Sequence, residues 1–146
     1  MKRTATAVWH GNPIEGSGTL SSMSGLLRDT PYSFKARFQS EDGQAGTNPE
    51  ELIAAAHAGC FTMALNFALY GAGAQPASLS TVATVAVDPI EGGFAITSIT
   101  LHLTAKVAGL TEAQFTEIAN GAKAGCPVSK ALAAVPIHLD IDFAAA

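Results

Sequence analysis

The stretch "NPEELIAAAHAGCFTMALNFALYG", residues 48–71, constrains the fold more than any other part of the chain. It reads as one helix of roughly six turns that is apolar nearly all the way round. A helix with no broad polar face must be covered by other elements, so it belongs at the centre of whatever fold forms. The run from Leu52 to Ala74 is also the one candidate membrane span. His57, Asn66 and three glycines interrupt it and Pro-Glu-Glu precedes it, so a central core helix is the better reading. With 146 residues there is room for one domain, residues 1–146, with a real core. Apolar residues make up 48% of the chain and charged ones only 14%. A lone copy would struggle to cover its apolar surface, which points to an oligomer. The net charge of −4 and the lack of any basic run argue against nucleic acid or an anionic membrane as a partner. Two cysteines and no signal peptide argue for a cytosolic protein rather than a secreted disulfide scaffold.

Around that helix the rest of the chain punctuates itself. Thr4–His10 and Gly18–Ser24 are short β-compatible runs joined by the turn-rich "GNPIEGSG". Tyr32, Phe34, Ala36 and Phe38 alternate with Ser33, Lys35 and Arg37, which predicts a half-buried strand with Arg37 facing away from the aromatics. Leu79–Val87 and Phe94–Lys106 flank "DPIEGG" as an antiparallel hairpin. The apolar parity of the second strand shifts near Thr97-Ser98, predicting a β-bulge there. "LTEAQFTEIANGAKAG" is an amphipathic helix capped by Thr111, "CPVSKALAAV" a short second helix, and "PIHLDIDF" a last strand. The order βββ-α-ββ-αα-β describes an α+β domain with antiparallel sheet packed on the long buried helix.

Chemistry-bearing residues cluster at two helix starts. With Asn48 as N-cap, Pro49 takes the first helical position and Glu51 can complete a capping-box-like arrangement, which leaves Glu50 without a necessary capping role. Cys126 precedes Pro127 at another helix start, where free N–H groups favour a thiolate. Cys60, amid Ala, Phe61, Met63 and Leu65, should resist ionising unless a cation approaches. Local thiolate logic therefore selects Cys126 as the reactive cysteine. Two other uses remain open: inert thiols in a non-catalytic structural or stress protein, or a metal site built from His57, Cys60 and Cys126, the first two at helical i, i+3 spacing.

"PYSFKARFQSEDGQAGTNPEELIAAAHAGCFTMAL" and "AKAGCPVSKAL" resemble the two signature regions of the OsmC/Ohr proteins, organic hydroperoxide reductases with a two-cysteine mechanism. The resemblance spans nearly the whole chain. "ARF" and "KAGCPVS" are closer to the OsmC branch than to the Ohr branch, which usually has Tyr after the Cys-Pro. It implies an OsmC-like fold as an intertwined homodimer and a thiol-dependent peroxidase active in oxidative or osmotic stress defence. It also implies Cys60 as the peroxidatic thiolate and Cys126 as the resolving thiol, reversing the local argument. Arg37 becomes the missing cation and Glu50 the residue that holds its guanidinium. Organic hydroperoxides are the implied substrates and an external dithiol, of lipoyl type, the reductant, with no metal or flavin.

On a continuous helix, however, Glu50 and Cys60 stand ten rises apart, roughly 15 Å along the axis. Either the helix breaks, or the glutamate near a given Cys60 belongs to another subunit. A two-fold dimer with antiparallel central helices would create two composite active sites.

Overall fold

The computed structural model describes residues 1–145, which divide into two compact units, one ending at Leu52 and one beginning at Ile53. In the first unit, β1 (Ala5–His10), β2 (Ser17–Ser22) and β3 (Thr30–Ser33) form an antiparallel sheet in that order, with Val8 opposite Thr19 and Gly18 opposite Tyr32. Gly18 is required by close approach: a Cβ there would collide with the Val8 carbonyl and the Tyr32 ring.

The third strand is shorter than its sequence pattern predicts. It stops at Ser33, and residues Phe34–Phe38 form a single helical turn, α1. The Ser33 hydroxyl accepts the Ala36 N–H at 3.0 Å, which caps the turn. Phe34 and Phe38 then meet at i, i+4, their ring centroids 5.0 Å apart, while Ala36 points inward and is buried. The alternation of apolar residues over five positions suits a helical turn as well as a strand, and the Ser33 cap decides. Arg37 consequently lies with the aromatics instead of opposite them, its guanidinium carbon 4.8 Å from the centre of the Phe38 ring.

The long helix forms without a break as α2 (Pro49–Gly71). The Asn48 side chain accepts the Glu51 N–H at 2.9 Å, so Asn48 is the N-cap and Pro49 the first helical residue. Glu51 does not close a capping box; its carboxylate takes the Thr47 hydroxyl at 2.7 Å instead.

In the second unit, β4 (Pro76–Ile90) and β5 (Gly93–Val107) make a long antiparallel hairpin. The bulge falls where the parity change predicts. Ala86 pairs with Ser98 and Val87 with Ile96, which leaves Thr97 as the extra residue, its hydroxyl donating to the Asp88 carboxylate. After β5 come α3 (Glu112–Gly125) and α4 (Pro127–Ala131), then β6 (Ile137–Ala145). Thr111 caps α3 in a full capping box with Gln114.

β6 pairs with β5 in parallel, Ile99 opposite Ile137, so this sheet is mixed and not antiparallel throughout. Two intervening helices supply the crossover that a parallel neighbour requires. The core follows the two periodicities. Ile99, Leu101, Leu103, Ala105 and Val107 alternate inward from β5; Phe61, Leu65 and Leu69 recur along α2; Phe115, Ala119 and Ala122 recur along α3. Phe115 stacks on Phe143 with centroids 4.8 Å apart.

The long helix commits only one stripe to this core. On its other side Met63, Phe67 and Tyr70 are exposed. It remains long and apolar enough to cross a membrane by length and composition, while His57, Phe61, Leu65 and Leu69 are buried in the folded unit.

Candidate active site

The sequence-predicted residues assemble as two pairs, one in each unit. In the first, Arg37 of α1 grips Glu50 in the first turn of α2: Nη2 donates to Oε1 at 2.6 Å and Nε to Oε2 at 3.1 Å. This bidentate fork fixes the guanidinium plane. Glu50 is buried and Arg37 about one-third exposed, so one face of the cation stays accessible. Arg37 borders a cavity of about 180 Å³ whose lining also includes Trp9, Tyr32, Phe34, Phe38 and Pro49. An accessible positive charge beside an aromatic wall suits a small ligand with a polar head and an apolar tail.

In the second unit Cys60 of α2 and Cys126 at the start of α4 are both free thiols, their sulfurs in contact at 3.0 Å. They are 66 residues apart in sequence. Their environments differ in sign. Burial pushes the Cys60 thiol up, the hydrogen bond with Cys126 adds to that, and the Val128 N–H opposes it only in part. Burial also works against ionisation of Cys126. It is outweighed by the Cys60 thiol, the Ser129 N–H and hydroxyl and the Val128 N–H, so Cys126 lies below the ordinary thiol value. Within the single chain the surroundings therefore favour the thiolate at Cys126 over Cys60, as local sequence logic expects.

Beside the thiols lies a contact that the sequence did not signal. His57 is fully buried on α2, and its Nε2 is 2.8 Å from the Ser129 hydroxyl on α4. Its Nδ1 is buried with no hydrogen-bond partner. Burial holds the imidazole below its usual pKa and favours its neutral form. Ser129 lies three residues after Cys126, and only the packing of α4 on α2 reveals what it meets. Among the described residues no three His, Cys, Asp or Glu side chains are grouped as metal ligands, and the His57 ring is committed to Ser129.

A mixed α+β chain that holds two free thiols, one on a long helix and one at a short helix start, in contact has the arrangement needed for thiol–disulfide chemistry. Comparison with known proteins gives the family: residues 41–141 match the OsmC-like protein family, and the chain belongs to it. It is 49% identical over 134 residues to peroxiredoxin OsmC of Escherichia coli, covering 92% of each chain. It is 36% identical over 92 residues to the organic hydroperoxide resistance protein OhrB of Bacillus subtilis, covering 62% of this chain and 65% of that one. The greater identity and coverage lie with the OsmC relative, as "ARF" and "KAGCPVS" suggest. The crystal structure of Bacillus subtilis OhrB superposes with a TM-score of 0.69 at 29% identity, covering 95% of this chain and 98% of that one. An organic hydroperoxide resistance protein OsmC from Legionella pneumophila gives 0.70 at 26% identity, covering 95% of this chain and 96% of that one.

Proposed function

We propose that the protein is a thiol-dependent peroxidase that reduces organic hydroperoxides to alcohols in stress defence. The observation that carries this is the pair of free thiols in contact, Cys60 and Cys126, in a chain of this family. Cys60 acts as the peroxidatic residue. Its thiolate attacks the terminal oxygen of ROOH, the O–O bond breaks, and the alkoxide leaves as ROH after taking a proton. Cys126, already in contact, captures the sulfenic acid as a disulfide before further oxidation proceeds. An external dithiol then reduces the disulfide by exchange. A lipoyl-type dithiol has the required chemistry, and the cycle needs no metal or flavin.

The obstacle is that Cys60 alone resists ionising. Arg37 and Glu50 supply the remedy from a second copy. α2 is continuous, so Glu50 stands roughly 15 Å along the axis from the Cys60 of its own chain. Arg37 is held at Glu50 by the bidentate pair. In a homodimer with α2 helices antiparallel, the Arg37–Glu50 pair of one protomer reaches the Cys60 of its partner. There the guanidinium lowers the thiol pKa and stabilises charge developing on the peroxide oxygens. The exposed stripe Met63, Phe67 and Tyr70 supports such a dimer, since it is the apolar surface a second copy would cover.

The test is hydroperoxide consumption by the purified protein with a dithiol reductant. Cumene hydroperoxide is expected to be turned over faster than hydrogen peroxide, which offers no apolar tail to bury. Failure to consume any alkyl hydroperoxide above the rate of a Cys60→Ser variant would reject the function.

A further inference from the structure

The peroxide step leaves one buried titratable side chain unused. His57 precedes Cys60 by one helical turn on α2, and Ser129 follows Cys126 by one turn on α4. The two helices are thus joined by two adjacent contacts: sulfur to sulfur at 3.0 Å, and His57 Nε2 to Ser129 Oγ at 2.8 Å. His57 and Ser129 are both buried, so neither can turn to water for a partner.

The orphaned Nδ1 decides which way the protons point. If Nδ1 carried the hydrogen, a buried N–H donor would be left unpaired, and Nε2 would claim the only proton Ser129 has. If Nε2 carries it, only a lone pair is left bare. An under-satisfied acceptor is tolerated better than an orphaned donor. In that tautomer Ser129 accepts from His57, and its own proton is free for the neighbouring sulfur. Cys126 is the N-cap of α4 and Ser129 lies one turn on, and the Ser129 hydroxyl is among the groups, with the Val128 and Ser129 N–H, that favour the Cys126 thiolate.

We propose that His57 and Ser129 form a buried relay for the resolving cysteine, in which His57 Nε2–H donates to Ser129 Oγ and the Ser129 hydroxyl donates to the Cys126 sulfur. This rests on the peroxidase reading for the step it serves. In that step the Cys126 thiolate attacks the sulfur of Cys60–SOH, the S–S bond forms and the S–O bond breaks. Cys126 sulfur is oxidised and Cys60 sulfur reduced. The departing hydroxide takes up the proton lost when Cys126 ionised and leaves as water. In this arrangement the Ser129 hydroxyl acts directly on the reacting sulfur. His57 is a positioning residue that acts through it.

Two measurements separate the relay from the function. In a Cys60→Ser background, the ultraviolet absorbance of the Cys126 thiolate is titrated with pH. Ser129→Ala is expected to raise the midpoint by about one unit, a tenfold loss of thiolate below it. His57→Leu is expected to do the same, while His57→Gln, whose amide N–H replaces Nε2–H, retains the wild-type midpoint. With Cys60 restored, rapid quench after one equivalent of cumene hydroperoxide compares Cys60 oxidation with disulfide closure. Closure is expected to slow about tenfold relative to Cys60 oxidation in Ser129→Ala and His57→Leu, and to recover in His57→Gln. Ser129→Ala removes a single oxygen, so it decides the matter if His57→Leu folds poorly. An unchanged midpoint and closure rate in Ser129→Ala overturns the relay. If Cys60 of the wild type is never oxidised, the peroxidase reading fails, and the titration still decides the relay.

Discussion

Phe67→Glu tests whether a second copy completes the site. Phe67 is 74% exposed in the single chain and lies on one stripe of α2 with Met63 and Tyr70. A Phe carries about 200 Å² of surface, so roughly 150 Å² per protomer leaves water when a partner covers it. At about 25 cal/mol/Å² this amounts to about 4 kcal/mol per protomer, or about 8 kcal/mol for a two-fold dimer. Association recovers only part of such area, and even half of it changes dimer dissociation by about a thousandfold. Two carboxylates buried at the same seam add a desolvation cost in the same direction. Sedimentation velocity at micromolar concentration is expected to show a wild-type dimer and a Phe67→Glu monomer, with helical circular dichroism retained. Peroxidase rate is expected to fall with dissociation, because each Cys60 loses the partner's Arg37–Glu50 pair. A Phe67→Glu monomer with full rate would refute the composite site. A variant that sediments as the wild type would refute the assignment of this stripe to the interface.

Glu50→Gln keeps the shape of the carboxylate but removes its charge from the fork to Arg37. Because Arg37 is about one-third exposed, the expected loss in a urea titration is about 1–2 kcal/mol, below that of a fully buried pair. Cys60 oxidation is expected to slow by about tenfold or more as the guanidinium loses its orientation; an unchanged rate would remove the pair from the chemistry. His57 gives a pH dependence in the reduced protein. Burial lowers its pKa below 6.5, so the unfolded chain binds the proton first. Its contribution is fully present above about pH 6.5 and is lost as pH falls through the folded value. Urea midpoints are expected to drop between about pH 7 and pH 5, with a shallower drop in His57→Gln; equal slopes in both proteins would contradict this.

Much of the fold was legible because its signals are local and strong. The apolar length of residues 48–71, Asn48-Pro49 at the helix start, Thr111 before α3 and the parity change at Thr97 each lead to one element. The misread segment, Tyr32–Phe38, is short enough for periods of two and 3.6 to coincide, and the Ser33 cap that settles it looks like one more polar residue in an alternating strand. The parallel placement of β6 was hidden because strand direction depends on the two-helix crossover, not on any residue within "PIHLDIDF". At the site, the pairing of Arg37 with Glu50 and the approach of the two cysteines were legible through the family signature. Ser129 gave no signal. Its role depends on contact with His57, 72 residues away in sequence, and only packing of α4 on α2 creates that contact.

The proposed peroxidase cycle rests on Cys60 taking the oxygen and Cys126 closing on it. Mass spectrometry of the reduced protein after one equivalent of cumene hydroperoxide tests it most directly. The wild type should lose two hydrogens and yield a Cys60–Cys126 cross-linked peptide. Cys126→Ser should carry one added oxygen on Cys60, and Cys60→Ser should remain unmodified. An oxygen on Cys126 in the Cys60→Ser variant, with activity retained, would contradict the assignment and make the thiol favoured as thiolate in the single chain the peroxidatic one.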